Sequence, residues 1–480
     1  YTGKIRSYFI KKGLPYREEC LFHPRFQTCV LPAVRLFVAP VLETPDGRIL
    51  QDTTDMIEHV EAQYPEPIVI PASPVQKAVA WLLGAFGSEG LLAPGMHYRW
   101  SYRAEQEDFL CAEFGRTLQG GPSREARFAT ARQTMQYFND FLPTLGVTAH
   151  TIPAVEAAYC ELLDALDDHF LRYPYLLGGR PSIADFGLMA PLFAHLARDP
   201  VPSTLMKNRA PNVYRWTERM NLARIGDGEF PDCPETYPPG DEIPVTLEPV
   251  LRLAFQDWGA QLLADAAAYN AWIASNPGMP AGTMVSATGD RKVHPTLGPV
   301  EYEWRGCVMR RASAPHGLWH FDKAAGCART LTGEARVRFE QLGLLLLLLP
   351  LRRLLGRRLR AHAHRCGPGP LSVPFASHRR RTRHGNPPGA ADDAHGLRPG
   401  GRVAGTDIPY PCSGWPGTPP PTRGALSPGH GAKLSPDSAA LGRSIAMMKL
   451  KSEVTLPAAG LSGFETPLSD EESAVQAGVH

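Results

Sequence analysis

The segment from Ala39 to Tyr64 most constrains the fold, because one short stretch specifies a turn and the start of a helix. Two short apolar runs flank Thr44 to Gly47, whose Pro-Asp-Gly sequence favours the corner of a β-hairpin. Asp52 and Thr53 then precede apolar residues at helical spacing, where both side chains can cap free N–H groups. The stretch therefore predicts a hairpin, a capped turn and a helix.

Two interpretations of these residues remain open at this point. Asp52 and Thr53 are either helix caps alone, with Pro40 merely opening a strand, or part of a site for a ligand. A helix N-terminus has unpaired N–H groups and the positive end of the helix dipole, so it suits a carboxylate. Asp52 would then face a positively charged group of the same ligand.

A second motif lies between Leu176 and Ala190, where the sequence is LLGGRPSIADFGLMA. Ser182 is placed as an N-cap, and Asp185 stands three residues later, which is an acidic version of the capping box. The apolar residues that follow have helical spacing. The motif predicts a helix whose first turn is held by Ser182 and Asp185.

The two motifs, in this order and at this spacing, resemble the cytosolic glutathione S-transferase family. The resemblance implies an α/β thioredoxin-like N-terminal domain followed by an all-α C-terminal domain. It implies that Ala39, Pro40, Asp52 and Thr53 bind glutathione, with a cis proline at Pro40 and the γ-glutamyl end at Asp52 and Thr53. Ser182 and Asp185 would be a buried folding element without a catalytic part.

The resemblance also leads us to expect a strand ahead of the first helix and a catalytic Ser or Cys two positions before Tyr1, outside this sequence. A serine would favour conjugation or isomerisation, and a cysteine would favour thiol transfer or lyase chemistry. Tyr1 is a conceivable hydrogen-bond donor to the thiolate, but alignment of Lys4 and Arg6 with the family pattern argues against that role. The catalytic residue is therefore left unassigned.

The remaining elements follow from periodicity and from turn residues. A helix is predicted over residues 4–12 with Gly13 as its C-cap, and a strand over Pro15 to Leu21. Residues 115–122 are predicted as a loop. Further helices are expected at residues 75–92, 123–142, 154–172 and 247–275, and a hairpin at residues 293–308. The run over residues 200–221 resembles the next helix of the family, with Arg209-Ala210-Pro211 opening it.

These elements predict four regions. They are a glutathione-binding domain over residues 1–72, a helical domain over 75–226, a helical extension over 243–350, similar to extensions of some bacterial relatives, and a low-complexity, disordered tail over 356–480. The extension offers no evident catalytic cluster in its sequence. Ten arginines and no acidic residue lie between Gln341 and Ala391, which indicates either a solvated or out-of-frame tail or a basic arm for nucleic acid. The lack of interleaved aromatic residues favours the first alternative.

Composition narrows the class of protein further. The formal charge of +2 does not indicate any class of partner. The nine cysteines are scattered and form no Cys-x-x-Cys pair, so we expect no metal centre and a reducing compartment. No apolar run approaches the roughly 20 residues of a membrane span. The sequence therefore predicts a cytoplasmic protein without a membrane partner, and nucleic acid is disfavoured.

The leading functional hypothesis is a glutathione transferase-like enzyme, whose glutathione thiolate attacks a small electrophile. Its co-substrate would be glutathione, and the resemblance also suggests a homodimer. The alternative is a non-catalytic binding or scaffold protein that keeps only the fold. A third hypothesis, a nucleic-acid binder, depends on the basic tail alone.

Overall fold

The structure is a computed structural model that describes residues 1–20, 23–36, 38–117, 123–280, 285–287 and 295–342 of the 480-residue chain. The described residues belong to one compact unit. The predicted tail over residues 356–480 lies outside them. So does the arginine-rich stretch from residue 343 onward, and the basic-arm hypothesis stays a prediction.

The N-terminal region is built from helices around one small hairpin. Its elements, in chain order, are α1 Thr2–Lys12, α2 Leu31–Val34, β1 Val41–Glu43, β2 Ile49–Gln51 and α3 Thr53–Gln63. A π-helical turn at Phe26–Val30 precedes α2. The hairpin is antiparallel with Leu42 opposite Leu50, and Gly47 adopts the left-handed φ of +82° that its turn requires. The hairpin and helix predicted from the segment 39–64 are thus present.

A cluster of polar contacts joins α1 to α3. Glu61 on α3 accepts a hydrogen bond from the Tyr8 hydroxyl at 2.6 Å and pairs with Lys12 Nζ at 2.8 Å. Lys12 also donates to the Pro67 carbonyl at 3.0 Å. Because Tyr8 is fully buried and the Lys12 amine is enclosed, these contacts fix the crossing of the two helices.

The predicted strand at Pro15 to Leu21 is wrong within the described residues. Positions 14–20 are irregular, and β1 pairs only with β2 there. A strand exists through hydrogen bonds to a neighbour, and the described residues provide none for this segment. The local pattern of apolar and polar residues is therefore not sufficient to make this segment a strand.

The central region is all helical. Its elements are α4 Pro74–Ala85, α5 Leu92–Trp100, α6 Arg103–Thr117, α7 Arg124–Asn139, α8 Ile152–Phe170, α9 Ile183–Pro191, α10 Pro200–Arg209 and α11 Pro211–Met220. Helix α6 was not predicted, and it includes positions 115–117 that were assigned to a loop. The run over residues 200–221 forms two helices, because Ala210 before Pro211 takes a non-helical conformation, and the second helix begins at Pro211, where the expected opening lies.

A buried carboxylate organises the start of α9. Asp185 is fully buried and accepts hydrogen bonds from the Leu176 N–H at 3.0 Å, the Ser182 N–H at 2.8 Å and the Trp216 indole N–H at 3.1 Å. The Ser182 hydroxyl donates to the same side chain at 3.1 Å. The predicted capping box is therefore present, and it also ties α9 to α11.

Helices α4 and α9 approach each other through glycines. A Cβ atom built on Gly187 would lie 2.5 Å from Gly84 Cα, and one on Gly87 would lie 2.5 Å from the Leu188 backbone nitrogen. Both distances are far below van der Waals contact with backbone atoms. The glycines that interrupt the apolar face of α4 thus permit this close packing.

The C-terminal region adds α12 Glu248–Ser275, the hairpin strands β3 Pro299–Trp304 and β4 Cys307–Ala312, α13 Pro315–Thr330 and α14 Gly333–Gln341. The predicted helix and hairpin are present here, whereas α13 and α14 were not predicted. The Arg305 guanidinium at the hairpin turn pairs with Asp257 of α12 at 2.6 Å and with Glu161 of α8 at 2.9 Å. Helix α13 packs along α4, so this region is part of the core.

The connector between residues 227 and 242 is irregular and contacts both earlier regions. The Tyr237 hydroxyl is within hydrogen-bond distance of the Ile68 and Pro181 carbonyls, at 3.1 and 3.0 Å. Asp241 accepts from Ser73 and from the Val75 N–H, at the N-terminus of α4. No helix in the described part of the chain has the length and apolar character needed to cross a bilayer.

We expect Gly187→Ala to lower the free energy of unfolding by about 1–3 kcal/mol, because the added methyl group meets backbone that cannot rotate away. The matched control is Gly259→Ala in the middle of α12, where a Cβ finds open space and the change is expected to be neutral or stabilising by up to about 1 kcal/mol. Denaturant unfolding of both variants tests the difference. Equal midpoints would contradict the close packing.

We also expect a pH effect from His169 on α8. Burial lowers the pKa of His169 to about 4 from 6.5, and its Nε2 lies 3.1 Å from the Tyr175 carbonyl. Between pH 6.5 and 4 the unfolded chain binds the extra proton, so the contribution of neutral His169 is lost as pH falls, by at most about 1.4 kcal/mol per pH unit.

The measurement is the unfolding midpoint against pH for the wild type and for His169→Gln, which removes the titrating ring. The variant should show a flatter loss of stability between pH 6.5 and 4, whereas the exposed control His150→Gln should follow the wild type. Parallel curves for wild type and His169→Gln would exclude this contribution.

Candidate functional site

The N-terminus of α3 lies at one end of the β1–β2 hairpin. The Ala39–Pro40 peptide is cis, and the pairing of Val41 with Gln51 brings Pro40 and Asp52 to the same end of the hairpin. Asp52 caps α3, because its Oδ1 accepts the Thr54 N–H at 2.7 Å. The residues predicted for the site, Ala39, Pro40, Asp52 and Thr53, are therefore close together in the fold.

Two properties distinguish this helix start from an ordinary cap. Asp52 has a φ of +76°, in the left-handed region that non-glycine residues rarely adopt. The Thr53 hydroxyl is buried and finds no hydrogen-bond partner among the described residues. Since buried hydroxyls are normally paired, the first turn of α3 keeps a polar group available for a ligand.

Helix α13 places two histidines over the Asp52 carboxylate. His316 Nε2 lies 3.3 Å from Asp52 Oδ2, and His320 Nε2 lies 3.7 Å from the same oxygen. The two rings stand nearly perpendicular, with centroids 4.6 Å apart. The other nitrogen of His320, Nδ1, lies 3.4 Å from the Thr54 hydroxyl.

Glu89, in the π-helical turn Phe86–Gly90 between α4 and α5, completes the cluster. Its Oε1 lies 3.4 Å from His316 Nδ1 and 3.7 Å from His320 Nε2. The Tyr1 hydroxyl lies 2.6 Å from the same Glu89 oxygen and 2.9 Å from the Ser88 carbonyl. Both are acceptors, so the single hydroxyl proton of Tyr1 is directed at this turn.

The charges of the cluster shift one another's pKa values. Burial disfavours the Asp52 and Glu89 carboxylates, but the histidines outweigh burial, hold the pKa of Asp52 well below its usual range and lower that of Glu89 to about 2. Burial also opposes a charge on His316, yet Glu89 and Asp52 raise its pKa to about 10. Burial and the neighbouring His316 lower the pKa of His320. At neutral pH the cluster holds two carboxylates, one imidazolium and one neutral imidazole.

The sequence did not indicate Glu89, His316 or His320 as site residues, and no metal centre was expected from it. The spacing of His316 and His320, four residues apart, puts both rings on one face of a helix and was the available signal. No local pattern indicated that Asp52 would meet them, because packing of α13 on α4 brings them together. Asp52, His316 and His320 now form the group of possible metal ligands found in the described residues.

A concave pocket opens beside this cluster. It is lined mainly by apolar side chains of α5 and α9, together with the first residue of the chain and a histidine: Tyr1, Leu91, Leu92, Met96, Pro191 and His195. Tyr1 contacts both the pocket and Glu89, so the pocket and the charged cluster are adjacent. An apolar concave surface next to converging polar groups is typical of a small-molecule site.

Comparison with known proteins identifies the class. The glutathione S-transferase N-terminal domain family matches residues 1–68, and the glutathione S-transferase C-terminal domain family matches residues 149–219. The chain therefore contains regions that match the N- and C-terminal domains of glutathione S-transferases, in the order that the resemblance in the sequence indicated.

A solved glutathione S-transferase from Methylobacterium radiotolerans JCM 2831, in complex with glutathione sulfonate, is 18% identical and covers 51% of this chain and 94% of its own, with a TM-score of 0.27. That overlap is too weak to carry an argument, so the likeness to glutathione S-transferases rests on the two matched domains. No curated protein matches the chain.

Proposed function

We propose that the chain binds glutathione at the N-terminus of α3 and directs its thiolate at a small electrophile. Asp52 would pair with the γ-glutamyl ammonium, and the Thr53 hydroxyl would donate to the γ-glutamyl carboxylate at the positive end of α3. The backbone of Ala39, before Pro40, would pair with the cysteinyl part. These roles extend the match with the family's domains to named residues of this chain.

The observation that carries the proposal is the buried Thr53 hydroxyl, which has no hydrogen-bond partner among the described residues and lies next to the Asp52 carboxylate. A ligand that brings both an ammonium and a carboxylate would satisfy the hydroxyl and a helix N-terminus together. An amino-acid moiety such as the γ-glutamyl group has this combination of charges. The proposal therefore follows from the chemistry of the helix start as well as from the family.

The adjacent pocket supports the second half of the reaction. In a conjugation, the glutathione sulfur forms a bond to an electrophilic carbon, the leaving group departs with the bonding electrons, and the thiol proton passes to solvent or a base. Apolar walls formed by Leu91, Leu92 and Met96 would hold an apolar electrophile. Tyr1, Ser88 and His195 provide polar groups at the same surface.

We expect Asp52→Asn to weaken glutathione binding roughly 10- to 100-fold, the effect of losing one charge-assisted hydrogen bond. Asparagine is also a good N-cap, so helix α3 should keep its start. Titration calorimetry of the full chain in EDTA-containing buffer measures the affinity. The control is Asp46→Asn at the exposed hairpin turn of the same domain, whose side chain is 57% exposed and should bind like the wild type.

Thr53→Val complements this test, because it removes the hydroxyl while retaining the shape of the side chain. We expect weaker glutathione binding with little change in stability, since the hydroxyl makes no hydrogen bond within the described protein. If glutathione binds equally to the wild type, Asp52→Asn and Thr53→Val, the proposed subsite is wrong. If the wild type does not bind glutathione, the proposed function is wrong.

One observation favours the alternative, a non-catalytic protein with the transferase fold. Only 11% of the Asp52 side chain is exposed, and His316 of α13 already lies against its carboxylate. An entering ammonium must displace that imidazole. Turnover of glutathione with a chloronitrobenzene electrophile separates the two candidates: binding without turnover across a range of electrophiles supports the binding protein, and turnover excludes it.

A further inference from the structure

We propose that Asp52, His316 and His320 form a binding site for a divalent transition-metal ion such as Zn²⁺. Two imidazole nitrogens and one carboxylate oxygen are a common donor set for this ion, and with three protein ligands a fourth position stays open. Their three ligand atoms lie within 4.8 Å of one another. Binding of a metal ion would be an additional function of this site, because neither the matched domains nor the proposed glutathione subsite requires an ion.

The separations between ligand atoms fit tetrahedral coordination. With metal–ligand bonds of about 2.0–2.1 Å, neighbouring ligand atoms in a tetrahedron are about 3.3 Å apart. His316 Nε2 is 3.3 Å and His320 Nε2 is 3.7 Å from Asp52 Oδ2. The separation between the two imidazole nitrogens is bounded at 4.8 Å, so adjustment of these side chains would bring all three ligand atoms onto one ion.

Outer contacts orient both imidazoles so that Nε2 faces the ion. Glu89 Oε1 lies beside His316 Nδ1 at 3.4 Å, and the Thr54 hydroxyl lies beside His320 Nδ1 at 3.4 Å. Metal-ligating histidines usually donate their second ring N–H to a carboxylate or another oxygen in this way. Glu89 and Thr54 are therefore positioned to fix the tautomers of the two ligands.

The atoms of the cluster that are not used in hydrogen bonds also favour an ion. His320 is 3% exposed, and its Nε2 is a buried atom that finds no hydrogen-bond partner in the described part of the chain. Asp52 uses Oδ1 to cap α3, which leaves Oδ2 directed at the histidines. A bound cation would satisfy His320 Nε2. It would take the place of the proton on His316 Nε2, which passes to solvent when the metal binds, and would offset the charges of Asp52 and Glu89 in its stead.

Two other buried ionic clusters in the described residues do not have this character. Arg99 pairs with Asp199 through two hydrogen bonds of 2.7 and 2.8 Å, and Arg305 pairs with Asp257 and Glu161. Each of these carboxylates already pairs with a guanidinium, and neither cluster contributes an imidazole nitrogen. The site at α3 and α13 is thus a distinct arrangement, built from segments far apart in the sequence.

The test uses the full chain after EDTA treatment and buffer exchange, titrated with Co²⁺ by visible absorption and with Zn²⁺ by calorimetry, without glutathione. We expect one ion per chain at this site and a Co²⁺ spectrum typical of four-coordinate geometry. His316→Gln and His320→Gln should each weaken affinity more than about 100-fold, and Glu89→Gln roughly 10-fold or more, because outer-shell partners alone contribute 10- to 100-fold.

The matched control is His59→Gln, a histidine on the same helix α3 whose Nε2 lies 3.1 Å from Gln63 Nε2 and which is not one of the cluster's three possible ligands. It should bind the metal like the wild type. Equal affinities for the wild type, His316→Gln and His320→Gln would overturn the proposal, since the ion would then bind at cysteines or histidines elsewhere. Lack of a four-coordinate Co²⁺ spectrum in the wild type would also overturn it.

Circular dichroism and thermal midpoints show whether each variant folds. If a ligand variant unfolds, Glu89→Gln and Thr54→Val decide instead, because they retain all three ligands and change only the outer contacts. Unaltered affinity in both would contradict the site. Because the assay contains metal alone, its result is independent of whether the chain binds or uses glutathione.

Discussion

The helical structure depends on the hydrogen bonds that the buried Asp185 carboxylate accepts. It is fully buried and accepts hydrogen bonds from the backbone at Leu176 and Ser182 and from the Trp216 indole. Burial raises the pKa of Asp185, and these hydrogen bonds partly oppose that shift. Removing one partner would leave an unsatisfied buried group, which costs far more than the net value of a single hydrogen bond. The carboxylate therefore fixes where α9 begins.

The position of α9 determines much of what surrounds it. Gly187 on α9 meets the backbone of α4 at a distance that admits no side chain, so α4 is held directly against it. Helix α13 in turn packs along α4, and α4 leads into the π-helical turn that contains Glu89. The charged cluster at the start of α3 is thus supported by a chain of close helix contacts. The chemistry of the cluster therefore depends on packing residues that do not themselves belong to the cluster.

The cluster combines groups whose pKa values favour the charged form with one whose pKa favours the neutral form. The two histidines hold the pKa values of Asp52 and Glu89 below their usual range, whereas burial and His316 lower the pKa of His320 beside them. Such converging, mutually shifted groups are more typical of functional sites than of surfaces. They also adjoin the first turn of α3, where the Thr53 hydroxyl is buried without a hydrogen-bond partner in the described residues. Both proposals, the glutathione subsite and the metal site, use Asp52, and they differ in every other residue.

The sequence alone determined the elements whose causes are local. The turn at Asp46 and Gly47, the cap at Asp52, and the capping box of Ser182 and Asp185 follow from side chains that bond to nearby backbone. The family could be recognised from these motifs for the same reason. Tertiary structure decided the rest: the segment after α1 is no strand, because a strand needs a neighbour, and His316 reaches Asp52 only because α13 packs on α4. Contacts between distant segments depend on the packing of whole helices, and no pattern of neighbouring residues records them.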